Sequence, residues 1–126
     1  MDKYEMMKMF KVYAIETLHL IEKLPQSRIN QKISDQIIRS CMSAAANYRA
    51  ACRAKSTADF INKLKIVEEE TDETIFHYEM LIEMNTILIE NMKQNIEKYD
   101  KVLGMIVKAI KTLRENQFNK DKSRNS

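Results

Sequence analysis

The sequence predicts an all-α protein: an antiparallel up-down four-helix bundle, one domain per chain. Three observations predict it. The 126 residues include 1 Gly and 1 Pro, where an average chain of this length carries about nine and about six. So few breakers leave little for the tight turns of sandwiches and barrels. Apolar residues recur with the 3.6-residue period in four separate segments. The breaks between the segments are short, and short connections join antiparallel neighbours.

The first helix is expected over about residues 3–23, with Met6, Phe10, Ala14, Thr17 and Ile21 on one stripe. Leu24-Pro25-Gln26 ends it, because proline disfavours a helical conformation in the residue before it. The second runs over about 29–54 and turns Ile33, Ile37, Cys41, Ala44, Tyr48 and Cys52 inward. A small polar flank, Gln36, Ser40, Ser43 and Asn47, runs beside that stripe and permits close helix approach.

Ser56-Thr57-Ala58-Asp59 is a loose capping box that starts the third helix, over about 57–86. Its core stripe is Phe60, Leu64, Val67, Thr71, Ile75, Tyr78 and Ile82. A second apolar band, Ile66, Phe76, Met80 and Met84, predicts contact with another surface, and in so short a chain that is a subunit interface. The fourth helix is expected over about 90–115, with Met92, Ile96, Leu103, Val107 and Ile110 inward. Residues 1–116 then form the bundle, and the polar residues 117–126 read as a disordered tail.

The same arithmetic excludes several functions. One glycine cannot build a Gly-rich phosphate loop. No apolar run is long enough to span a membrane, and the N-terminus has no apolar signal region. A cytoplasmic protein is the expectation. Cys41 and Cys52 lie eleven residues apart on one helix, roughly 16 Å, too far for a disulfide. They read as small core residues.

Di-iron bundles need two Glu-x-x-His motifs; only Glu16-Thr17-Leu18-His19 matches, since Thr74 stands three residues before His77. No metal, cofactor or catalytic group is expected. The nine methionines read as core and interface filling, with a partner groove on the second apolar band as the other use.

Net charge is +3, unevenly spread. Arg28 to Lys55 carries six basic residues against Asp35, and Asp59 to Glu83 carries eight acids against Lys63 and Lys65. At about 100° per residue, Arg28, Lys32 and Arg53 fall near Arg39, with Arg49 at the margin. This stripe reads either as a solvated face or as a phosphate-contacting surface. Lys55, Lys63 and Lys65 are outer candidates for the same surface. Asn47 reads as a buried amide that fixes helix register, or as a ligand contact. The acidic run, Glu68, Glu69, Glu70, Asp72 and Glu73, is either solvated or paired with a basic surface of a neighbouring subunit.

The stretch from Arg39 to Glu79 carries Ala46-Asn47-Tyr48-Arg49 and Asp59-Phe60-Ile61-Asn62-Lys63-Leu64, followed by Glu70-Thr71. These motifs resemble the four-helix-bundle proteins named after the intervening sequences of 23S rRNA genes. The resemblance is closer to the subgroup that contains the accessory variability determinant of diversity-generating retroelements. It implies a homopentameric ring, nucleic-acid binding in some members, a reverse transcriptase partner in that subgroup, and no enzymatic activity.

Ala50 stands where the family often has an acid, Ala45 where it often has Gly or Pro, and Phe76-His77 where it has an aromatic-Trp pair. The resulting expectation is a non-catalytic oligomeric accessory protein. It binds RNA or DNA through Arg28, Lys32, Arg39, Arg49 and Arg53, without strong sequence specificity. The alternative is a protein-interaction scaffold that binds no nucleic acid.

Overall fold

The structure, a computed structural model, describes residues 1–124 and contains four helices: α1 (Lys3–Glu22), α2 (Arg28–Ala51), α3 (Thr57–Met84) and α4 (Ile89–Arg124). Short polar side chains start the first three. Asp2, Ser27 and Ser56 accept hydrogen bonds from the backbone N–H of Glu5, Asn30 and Asp59 at 2.9, 3.0 and 3.1 Å. Each satisfies one N–H that the first turn leaves unpaired. α2 packs on α1 and α3, and α4 closes the bundle against α3 and α1. Pairs across each seam run antiparallel: Phe10 on Tyr48, Ser40 on Thr74, Tyr78 on Asn95, and Glu16 on Lys98.

The ends of the helices have local causes. α2 stops at Ala51 because the N–H groups of Arg53 and Ala54 bond the carbonyls three residues back, a tighter turn than an α-helix. α3 stops at Met84 because Asn85 leaves in an extended conformation. Its amide caps the Leu81 carbonyl at 2.8 Å and exchanges two 2.9 Å bonds with Asn30. Leu88, at φ 60°, makes the turn into α4 without a glycine, in a region costly for a branched side chain.

α4 corrects one expectation. The residues read as a disordered tail are helical through Arg124, and 125–126 lie outside the described residues. Their polarity matches a solvated helix as well as a coil. No Gly or Pro follows Gly104, and an established helix extends at one hydrogen bond per added residue.

The core is centred on Phe10, Ile37, Leu64, Val67, Tyr78, Leu81, Met92, Tyr99 and Ile106. Its stripes are rotated from the expected ones. Leu20, Ala51, Ile61 and Leu81 are buried, while Ile21, Cys52, Phe60 and Ile82 are only half-buried. On α4 the buried positions are Met92, Asn95, Tyr99, Val102, Ile106 and Ile110; Ile96 and Leu103 are half-buried and Val107 is exposed.

On α4 the inward-turned Asn95 and Tyr99 join a buried polar network. Tyr78 donates to the Thr17 hydroxyl at 2.9 Å, Thr17 and Tyr99 share a 2.9 Å bond, and Asn95 donates to the Tyr78 oxygen at 3.0 Å. Bonded to one another, these groups can occupy the centre of three helices without stranding a polar atom. Among the described residues no helix is long and apolar enough to cross a membrane.

Candidate nucleic-acid interface

The antiparallel order brings the start of α1, the end of α2, the start of α3 and the end of α4 to one end of the bundle. The Cys52 thiol donates to the Lys3 carbonyl there at 3.8 Å. A hollow between these segments is lined by Lys3, Ala51, Cys52, Lys55, Ser56, Thr57 and Phe60. A second is lined by Thr57 of α3 and by Leu113, Asn116, Gln117, Lys120, Asp121 and Arg124 of α4.

The segments 1–8, 49–65 and 108–124 lie toward that end, with thirteen Lys and Arg against five Asp and Glu, a balance of +8. The rest of the chain holds eight against thirteen, or −5, which restores the total of +3. A charge separation of this size concentrates positive potential at one end.

The structure divides the sequence-predicted stripe. Arg49 is exposed in the last turn of α2, Arg53 follows it in the turn, and Lys55 is exposed in the link to α3. Lys63 is half-buried and Lys65 exposed on α3, within the basic end. Arg28 and Lys32 are exposed at the opposite end, on the first turns of α2. Among the described residues none of these seven forms an ion pair.

Arg39, midway between, does. Its guanidinium bonds Glu70 at 3.0 Å and also Glu73. The Glu73 hydrogen bond raises its pKa, with the charge of Glu70 adding to the effect. Arg39 reaches a phosphate only by giving up two carboxylates. The acidic run is thereby engaged within its own chain at Glu70 and Glu73.

Asn47 also departs from its expected role. It is half-buried and donates to the Ser43 carbonyl at 2.9 Å and the Ser43 hydroxyl at 3.1 Å, one turn back on its own helix. Register across α2 and α3 rests instead on Asn30 with Asn85 and on the 2.7 Å contact of Ser40 with Thr74. A helix-interior Asn can satisfy itself locally, so its presence did not disclose its partner.

The band of Ile66, Phe76, Met80 and Met84 is exposed, from 37% to 55%. The two cysteines are free thiols. Burial pushes the Cys41 pKa up to about 11 and also raises that of Cys52, opposite in direction to the shift that activates a thiol. Glu16 of the lone Glu-x-x-His motif faces Lys98 at 2.7 Å. Among the described residues no three His, Cys, Asp or Glu side chains gather as a metal would require.

Sequence reasoning missed the last turns of α4. Lys108, Lys111, Arg114, Lys120, Lys122 and Arg124 outnumber Glu115 and Asp121 there. The local excess was legible in the sequence. Its position at the same end of the bundle as Arg49, Arg53 and Lys55 is a property of the fold.

Fold and surface together define a class: a small all-α bundle with one strongly basic end and a spare apolar band. A family model described as 23S rRNA-intervening sequence protein matches residues 2–108, and the chain belongs to that family. Among solved structures it is similar to a protein of unknown function from the S23 ribosomal protein family of Bacteroides thetaiotaomicron. The two share 30% identity over 88% of this chain and 99% of the other, with a TM-score of 0.76. Among curated proteins no relative matches.

Proposed function

We propose that this chain is a non-catalytic, oligomeric accessory protein that binds RNA or DNA through its basic end without strong sequence specificity. One observation carries the reading: Arg49, Arg53 and Lys55 lie at the same end of the bundle as the basic last turns of α4, an end with a balance of +8. Phosphate contacts supply affinity without reading bases, and this surface holds no recognised base-reading module. Lys63 and Lys65 extend it. Arg28 and Lys32 form a second, smaller cluster at the other end, and Arg39 contributes only if its carboxylate pairs open. The setting is cytoplasmic.

The exposed α3 band supports assembly. The resemblance to the accessory variability determinants supports a pentameric ring and a reverse transcriptase as protein partner. Five chains of 14.9 kDa give a particle of roughly 75 kDa, and a light-scattering mass near one chain would remove the ring. The same band supports the rival reading, a ring that binds only protein.

Fluorescence anisotropy with labelled oligonucleotides at several salt concentrations separates the readings. Log affinity falls linearly with log salt when phosphates are engaged. Replacing Arg49, Arg53 and Lys55 with Gln is expected to reduce the slope on single strands by about two, at roughly 0.7 per contact. An unchanged slope, or no binding at low salt, would transfer the function to the protein scaffold.

A further inference from the structure

α4 outruns its neighbours. By the antiparallel register of Tyr78 on Asn95, the first residue of α3, Thr57, lies level with about Asn116, and α4 continues to Arg124, about 12 Å further. The family match ends at residue 108, so this extension lies beyond it. Phe118 stands on the extension at 67% exposure, the highest of any large apolar side chain among the described residues. At about 100° per residue, Lys111, Arg114, Phe118 and Lys122 share an arc of about 80°, with Glu115 and Asp121 at its edges.

We propose that the projecting end of α4 is a contact for single-stranded nucleic acid, in which Phe118 stacks on a base while Lys111, Arg114 and Lys122 neutralise flanking phosphates. This rests on the nucleic-acid reading above and names the form of nucleic acid. Aromatic rings in a positive field are the usual platform for unpaired bases, whose faces a duplex hides.

A protein partner fits less well. Protein interfaces gather contiguous apolar side chains, whereas the nearest exposed large apolar residue on α4 is Val107, about 16 Å back. The apolar band starts at Ile66, nine residues along α3 from Thr57, or about 14 Å from the basic end, and its other members begin at Phe76, about 28 Å from it. The hollow at Phe118 is lined by Arg114, Glu115 and Asn119, with no second apolar side chain among them.

The test compares a labelled single-stranded RNA with a duplex of equal length, by anisotropy, on the full chain. Phe118→Ala is expected to weaken single-strand binding about tenfold, with duplex affinity and salt slope unchanged; Phe118→Tyr is expected to retain wild-type affinity. Equal losses on both forms, or no loss with Phe118→Ala, would overturn the stacking contact. If the Arg49/Arg53/Lys55 variant then still loses affinity, the broader reading survives that failure. No binding by the wild type at low salt overturns both. A drop in particle mass caused by Phe118→Ala would make the extension a subunit contact and likewise overturn the proposal.

Discussion

Thr17, Tyr78, Tyr99 and Asn95 hold α1, α3 and α4 together at the centre of the core, and removing one hydroxyl tests how. In Tyr78→Phe the ring and its packing remain, but Thr17 and Asn95 each lose a bond, of 2.9 and 3.0 Å. Neither is left bare. Thr17 keeps Tyr99, and Asn95 borders the polar hollow between α1 and α4. A buried group stranded outright costs about 1–3 kcal/mol, so the loss belongs at the low end, about 1.5 kcal/mol.

Thr17→Val is harsher, because Thr17 is the hub of the network. Two buried phenol hydroxyls then lose a partner together, for about 3 kcal/mol. Urea unfolding at one fixed protein concentration measures both losses, since assembly would make apparent stability concentration-dependent. A smaller loss for Thr17→Val than for Tyr78→Phe would refute the network as drawn, and so would a Tyr78→Phe loss below about 0.5 kcal/mol, half an ordinary hydrogen bond.

Two further outcomes are expected. The Thr71 hydroxyl is buried without a hydrogen-bond partner, so Thr71→Val removes a desolvated polar group at nearly constant shape and should raise stability by about 1 kcal/mol in the same assay. A destabilised variant would show that the hydroxyl is satisfied. Burial first raises the Tyr78 pKa from 10.0 to about 12, and burial likewise raises those of Tyr48 and Tyr99. Each phenol in the unfolded chain therefore loses its proton before its folded counterpart, so stability is whole below about pH 10 and falls above it. The phenolate absorbance of these three tyrosines should appear together with loss of helical circular dichroism; ionisation with the helices intact would contradict their burial.

The four helices were legible because their causes are local. Ser56 before Thr57, proline after Leu24 and the near absence of glycine act within a turn of where they stand. Polarity misled where one pattern serves two structures. Gln117 to Arg124 reads as coil by composition, yet α4 carries it as solvated helix. Asn95 and Tyr99 were passed over as core residues for the same reason: a polar side chain enters a core only when partners meet it, and those partners are distant in sequence.

The candidate site divides along the same line. The sequence by itself determined the basic stripe of α2, the acidic run of α3 and the spare apolar band, because helical periodicity places residues on a face whatever the face meets. Only the tertiary structure decided which charges are free. It brought Glu70 and Glu73 onto Arg39 and withdrew that arginine from the stripe. It put the end of α4 at the same end of the bundle as Arg49, Arg53 and Lys55 and built a basic end from segments about forty residues apart. Charge interacts through space, and spatial neighbours are set by how helices pack rather than by their order along the chain.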